Sequence, residues 1–275
     1  MHHLFLQFSY LSIWVAVIAY FVALRSALPW IDRGVRLLTV VGFLLLTTGL
    51  VLRGLLAGHW PITNRYEVSL CIVWMILGIQ ILLEMSWREG GRAGGFTLIP
   101  ALILASYALT RSASEQEIFP LLPILRSTWL QIHVLASVIG YGAFCIASGL
   151  GFARLVQGRL GIAQMSVRLP SQDQIERTME RVIALGFPWF SLGILTGGIW
   201  AQVAWGRYWG WDPKETWSLI TWLWYLLILH VRSLRAWRGR RLALLTLAGF
   251  GVVMFTFIGV PWLVRAVRLE SLHGF

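Results

Sequence analysis

Eight apolar runs separated by short polar breaks organise the 275-residue chain. They fall at about Leu4–Leu24, Val35–Ala57, Val68–Ser86, Phe96–Thr110, Trp129–Val156, Val182–Ala204, Pro213–Val231 and Leu242–Val264. A hydrocarbon core about 30 Å thick needs roughly 20 apolar residues at helical rise, and most of these runs approach that length. The pattern predicts an all-α integral membrane protein with about eight transmembrane helices. The fourth run, bounded by Gly94-Gly95, is the weakest. The first has no basic segment before it and no small-residue cleavage site after it, so it is expected to persist as a helix rather than act as a signal peptide. The longest polar break, Gln157–Arg181, contains Pro170 and a short amphipathic stretch. It is expected as a cytoplasmic loop inside a single multi-pass domain covering residues 1–275.

Composition supports lipid as part of the solvent. Hydrophobic residues make up 57% and charged residues 13%, against roughly 45–50% and about 25% in soluble proteins. The net charge of +11 suggests nucleic acid only until its distribution is read. Of 23 basic residues, fifteen lie in the connections after the first, third, fifth and seventh runs and eight on the opposite side. The positive-inside rule assigns the richer side to the cytoplasm and puts both termini on the exoplasmic side. The charge is then topology and headgroup contact, and no nucleic-acid partner is expected. Cys71 and Cys145 both sit inside apolar runs and no C-x-x-C occurs, which argues against thiol-redox chemistry, a zinc site and a disulfide scaffold.

Seven of the sixteen tryptophans fall between Trp200 and Trp224. An interfacial aromatic belt accounts for any one of them, but a belt spreads over all helix ends. The segment Trp205-Gly206-Arg207-Tyr208-Trp209-Gly210-Trp211 concentrates them on glycine-flexed backbone. Flat apolar rings at a membrane surface suit a large, planar, hydrophobic ligand. Next to it, Asp212-Pro213-Lys214-Glu215 reads as a helix start: Asp212 as N-cap, Pro213 at the first helical position, Glu215 closing a capping box. Free N–H groups there, with Lys214, would favour a ligand carboxylate.

Histidine is rare in membrane spans and costly there if charged. His133 lies near the start of the fifth run and His273 beyond the last, both on the tryptophan side. His59 lies just past the second run, His230 at the far end of the seventh, and His2 and His3 form a polar terminus. A hydrogen-bonded structural imidazole explains each taken singly. Together, two imidazoles approaching a flat aromatic bed from opposite sides meet the needs of bis-histidyl haem ligation. Arg65, Arg111, Arg126, Arg207 and Lys214 share that side and could meet the propionates.

The residues Trp205 to Trp217, continuing through Trp222 and Tyr225 to His230 and Arg232, resemble the tryptophan-rich WWD signature of haem-handling proteins in cytochrome c assembly. Three further stretches are similar to the CcsA (ResC) type of system II: Pro61-Ile62-Thr63-Asn64-Arg65-Tyr66-Glu67, Trp129 to Val134 followed by Tyr141, and Gly259-Val260 with Leu272-His273-Gly274. The likeness covers roughly residues 60–275. It departs after the last histidine, where the family usually reads Ser-Tyr-Gly and this sequence has Gly274-Phe275. The resemblance implies haem b as cargo, with His133 and His273 as its external axial ligands. It implies a platform from Trp205, Tyr208, Trp209, Trp211, Asp212 and Trp217, and propionate partners among Arg65, Arg126, Arg207 and Lys214. His230 would hold haem within the membrane, paired with a histidine of a CcsB (ResB) partner. The pair would present haem to the C-x-x-C-H motif of apocytochrome c in a bacterial plasma membrane or a thylakoid, acting by positioning. Two other readings stay open: a CcmC-like delivery of haem to a chaperone, and a secondary transporter of a small hydrophobic solute.

Overall fold

In the computed structural model, which describes residues 2–26, 28–87, 90–159 and 169–267, every described secondary-structure element is helical. Each predicted apolar run returns as a helix: α1 (His2–Ala23), α2 (Pro29–Ala57), α3 (Arg65–Ser86), α4 (Gly94–Leu109), α5 (Thr128–Arg159), α6 (Gln172–Trp205), α7 (Pro213–Val231) and α8 (Arg240–Val267). Among the described residues six of these, α1, α2, α3, α5, α6 and α8, are long and apolar enough to cross a membrane. α4 is shorter, and the charged first turn of α7 together with its tryptophans lowers that helix's hydropathy.

The break expected over 157–181 is narrower than its polarity suggests. α5 continues through Arg159 and α6 begins at Gln172. Ser171 caps α6 by accepting from the Gln174 N–H at 3.3 Å, while Gln174 Oε1 accepts from the Ser171 N–H at 3.0 Å. Polar residues here belong to helices that extend beyond their apolar stretches, so hydropathy alone places the helix ends too early.

α5 is the hub: 78% of its apolar window is buried, against 33–44% for the other long helices. Its closest partner is α6, and glycine permits the approach. A Cβ at Gly140 would meet Phe190 at 2.7 Å, and one at Gly186 would meet Ala143 at 2.5 Å. The outward faces carry large exposed apolar side chains, among them Phe8, Leu11, Ile18, Leu185 and Leu195, as expected of a surface in contact with lipid.

Successive helices reverse direction, so the molecule has two ends. At one, α1 to α4 are joined by a buried polar cluster. Glu84 accepts from Tyr20 Oη and, at 2.7 Å, from Gln80 Nε2; Thr97 Oγ1 donates to Gln80 Oε1 at 2.6 Å. Arg36 lies 3.8 Å from the same carboxylate. Arg154–Glu176 and the Gly239 N–H on Glu176 belong to this end too. At the other end, which holds the cleft described below, α8 widens into a π-turn at Phe255–Gly259.

Candidate functional site

At the second end a cleft of about 1280 Å³, counted out to where it meets solvent, opens between the start of α3, the start of α5, the end of α6 and the start of α7. Its polar lining includes Thr63, Asn64, Arg65, His133, Ser137, Tyr208, Lys214 and Thr256, and its apolar walls include Val134, Tyr141, Ile194, Trp200, Trp209 and Phe257.

The Pro61–Glu67 motif builds one wall. Asn64 caps α3, its Oδ1 accepting from the Glu67 N–H at 2.9 Å. Glu67 turns back, so that Oε2 takes the Thr63 N–H at 2.7 Å and Thr63 Oγ1 at 2.8 Å. Its other oxygen holds Arg53 Nε at 2.7 Å. Arg53 is 0% exposed, and its two terminal nitrogens each donate to a carbonyl, of Gln116 at 2.7 Å and of Glu117 at 2.9 Å. This clamp ties the end of α2, the start of α3 and the 111–126 connection into one unit, and that unit carries Arg65 into the cleft. Two residues 14 apart on separate helices leave no periodic trace of their pairing in the sequence.

The tryptophan segment builds the opposite wall. α6 ends at Trp205 with Gly206 in the left-handed conformation (φ 73°). The expected capping box is present: Lys214 N–H donates to Asp212 Oδ1 at 2.8 Å, and Glu215 Oε2 accepts from the Gly210 and Asp212 N–H groups at 2.7 and 3.2 Å. These bonds fold residues 208–212 over the helix start and turn Tyr208 and Trp209 toward the cleft, with Lys214 beside them.

The expected platform is therefore divided. Tyr208 and Trp209 line the cleft, as does Trp200, whose Nε1 donates to the Ile124 carbonyl at 3.2 Å. Trp205 packs edge-on against Trp200, and Trp217 against Phe255. Neither lines the cleft. Trp211 is 69% exposed at φ 57°, touching the edge of Trp209. Trp222 and Trp224 donate to Ser191 and to the Leu245 carbonyl. Asp212 shapes the backbone from beneath rather than facing the void. Composition shows how many indoles a segment holds, not which way each points.

The cations divide similarly. Arg65 and Lys214 line the cleft. Arg207 lies across Gly210, whose missing side chain makes room for it, and Arg126 is exposed outside the lining. Arg111 stacks on Tyr107 at 4.4 Å.

Of the histidines, His133 faces the cleft, half-buried, with Nδ1 2.6 Å from the Gly193 carbonyl oxygen. His59 is half-buried and bonded to the carbonyls of Trp60 and Phe119. His230 is exposed on α7, sixteen residues from Lys214 and so roughly 24 Å away along the helix. His273 lies outside the described residues. An imidazole, two aromatic faces, two cations and apolar walls are a donor set that fits an iron porphyrin with acidic side chains.

Comparison with known proteins places the chain in a family. The pattern of the family described as "Cytochrome C assembly protein" matches residues 62–267. The chain is 39% identical over 254 residues to the "Cytochrome c biogenesis protein CcsA" of Parasynechococcus marenigrum, covering 82% of each. It is 31% identical over 316 residues to the protein of that name from a Synechocystis strain, covering 94% of each. Among solved structures, "Cytochrome c Heme Lyase CcmF" superposes with a TM-score of 0.66 at 16% identity. That superposition covers 99% of this chain and 51% of that one, so the shared fold spans about half of the lyase.

Proposed function

Since the chain belongs to the cytochrome c assembly family as a CcsA-type integral membrane protein, we propose that its cleft binds haem b as cargo and presents it for attachment to apocytochrome c. The observation that carries this reading is the convergence of His133, Arg65 and Lys214, from three helices, and Trp209, from the connection before α7, on one cleft. His133 is the ligand to iron on one face, and His273, from the end of the chain, is the ligand on the other. Tyr208 and Trp209 lie against the porphyrin, while Arg65 and Lys214 meet the propionates. Trp205, Trp211, Asp212, Trp217, Arg126 and Arg207 shape or border the wall.

Attachment adds each cysteine S–H of the C-x-x-C-H motif across a vinyl C=C, conserving all atoms and electrons. The protein's part is to hold the porphyrin edge toward the thiols and keep water from the iron. The cleft opens on the exoplasmic side, with eight spans and both termini there, in a bacterial plasma membrane or a thylakoid. His230, near the cytoplasmic face, holds haem on its way in, against a CcsB-type partner. Its exposure on the isolated chain supports this, because an imidazole shared with another subunit must reach the surface.

The test is a spectrum. Co-expressed with its partner and purified in detergent, the chain is expected to carry six-coordinate, bis-histidyl haem. His133→Ala should lose that signature and stop cytochrome c maturation, with imidazole partly restoring both. Wild-type maturation in His133→Ala overturns the assignment.

A further inference from the structure

The seat of His133 is built from glycine, and the geometry there goes beyond the presence of an imidazole. The Nδ1 atom lies 2.6 Å from the carbonyl oxygen of Gly193, on α6. A carbonyl only accepts, so Nδ1 must carry the proton. One turn further along α6, a Cβ on Gly197 would stand 2.6 Å from His133 Nδ1 and 2.7 Å from Cε1. A Cβ on Gly193 would stand 2.5 Å from Ser137 Oγ and 3.2 Å from its backbone nitrogen. The imidazole fits against α6 only because Gly197 has no side chain, and the bare Gly193 lets α5 come close at Ser137.

We propose that Gly197 and the Gly193 carbonyl are positioning elements that fix the tautomer and ring plane of His133, so that Nε2 is the nitrogen offered to iron. The inference rests on the haem reading above and deepens it. A ligand imidazole whose second nitrogen donates to a carbonyl is held in orientation and becomes a more basic donor. A more basic axial ligand favours ferric iron and lowers the reduction potential. The seat thus sets a potential as well as a direction. Thr196 tunes it: its buried hydroxyl donates to the Leu192 carbonyl at 2.7 Å and reaches the same Gly193 oxygen at 3.2 Å, competing with the imidazole.

The experiment compares variants of the full chain, co-expressed with the partner, by haem content, reduced spectrum and midpoint potential. Gly197→Ala should lower haem content about tenfold, the effect of removing one such supporting group, and shift the potential upward. Added imidazole, which needs no seat, should restore the spectrum. Gly186→Ala controls for packing, since it creates a comparable clash with Ala143 in the same helix pair, eleven residues deeper and away from the cleft; whatever it costs in stability, the haem it retains should keep the wild-type midpoint potential and reduced spectrum. Thr196→Val keeps the shape of the helix and removes the competing donor, so its potential should move downward.

No shift in either Gly197→Ala or Thr196→Val, while His133→Ala loses the spectrum, overturns the seat and leaves the haem reading standing. Equal impairment in Gly197→Ala and Gly186→Ala, without imidazole rescue, also overturns it by showing general packing damage. An unchanged spectrum in His133→Ala overturns the haem reading itself.

Discussion

The two ends of the bundle both bury polar groups among apolar helices, and they treat them in opposite ways. Around Glu84 the groups satisfy one another: Tyr20, Gln80, Thr97 and Arg36 close on the carboxylate or its neighbours and leave little space between them. At the cleft, Arg65 and Lys214 are held by their backbones while their side chains border a void. The first arrangement holds four helices together. The second keeps cations ready for a ligand, and it can do so only because Arg53 and Glu67 beside it are fully occupied with each other and with nearby backbone. The lesson is that buried charge marks a site where it borders space, and marks a joint where it is closed upon itself.

The largest effect should come from breaking a joint at the cleft end. Arg53→Ala leaves the Glu67 carboxylate buried without its partner, at a cost of about 3–5 kcal/mol. Most of the folded, monodisperse protein should disappear from size-exclusion profiles in detergent. Lys214→Ala and Trp209→Ala, on the lining of the void, should leave those profiles intact and weaken haem retention. For Lys214→Ala, loss of a hydrogen bond to a charged group is worth about 1.5–3 kcal/mol, roughly a ten- to hundredfold change, read by competition with a haem-binding apoprotein.

Glu84→Gln tests the opposite end. It keeps an acceptor but loses a charge and mismatches one donor, at about 1 kcal/mol. The thermal midpoint should fall slightly with no change in the haem spectrum; a changed spectrum would mean the two ends are coupled. Smallest of all is Trp211→Ala. With its ring already exposed, stability should move by no more than about 0.5 kcal/mol. Haem retention should stay near wild type, in contrast to Trp209→Ala, although the two indoles stand two residues apart.

Much of the architecture was legible because it follows from composition over long windows. Eight apolar runs gave eight helices, and the caps at Asn64 and Asp212 followed from short-range residue chemistry. The cleft's inventory was legible by type but not by direction. Tyr208, Trp209, Arg65, Lys214 and His133 converge, while Trp205, Trp211, Trp217, Arg126 and Arg207 do not, because side-chain aim depends on partners distant in sequence. The Arg53–Glu67 clamp and the Glu84 cluster were invisible for the same reason: each joins separate helices, and neither has a periodic signature. Pro188 sits within α6 without ending it, since packing against α5 outweighs one lost hydrogen bond.

The π-turn of α8 has a consequence for how that wall can behave. There the Val260 N–H donates to the Phe255 carbonyl, five residues back, so the helix contains one residue more than its regular winding would hold. Thr256 and Phe257 are thereby swung toward the cleft, while Val253 before them and Val260 after them both return to the interior. The helix is two stretches out of phase, and a slip of a single residue between them would rotate one against the other by about 100°. A wall made this way can change its contour by trading one hydrogen-bond partner for its neighbour, and need not unwind to do so.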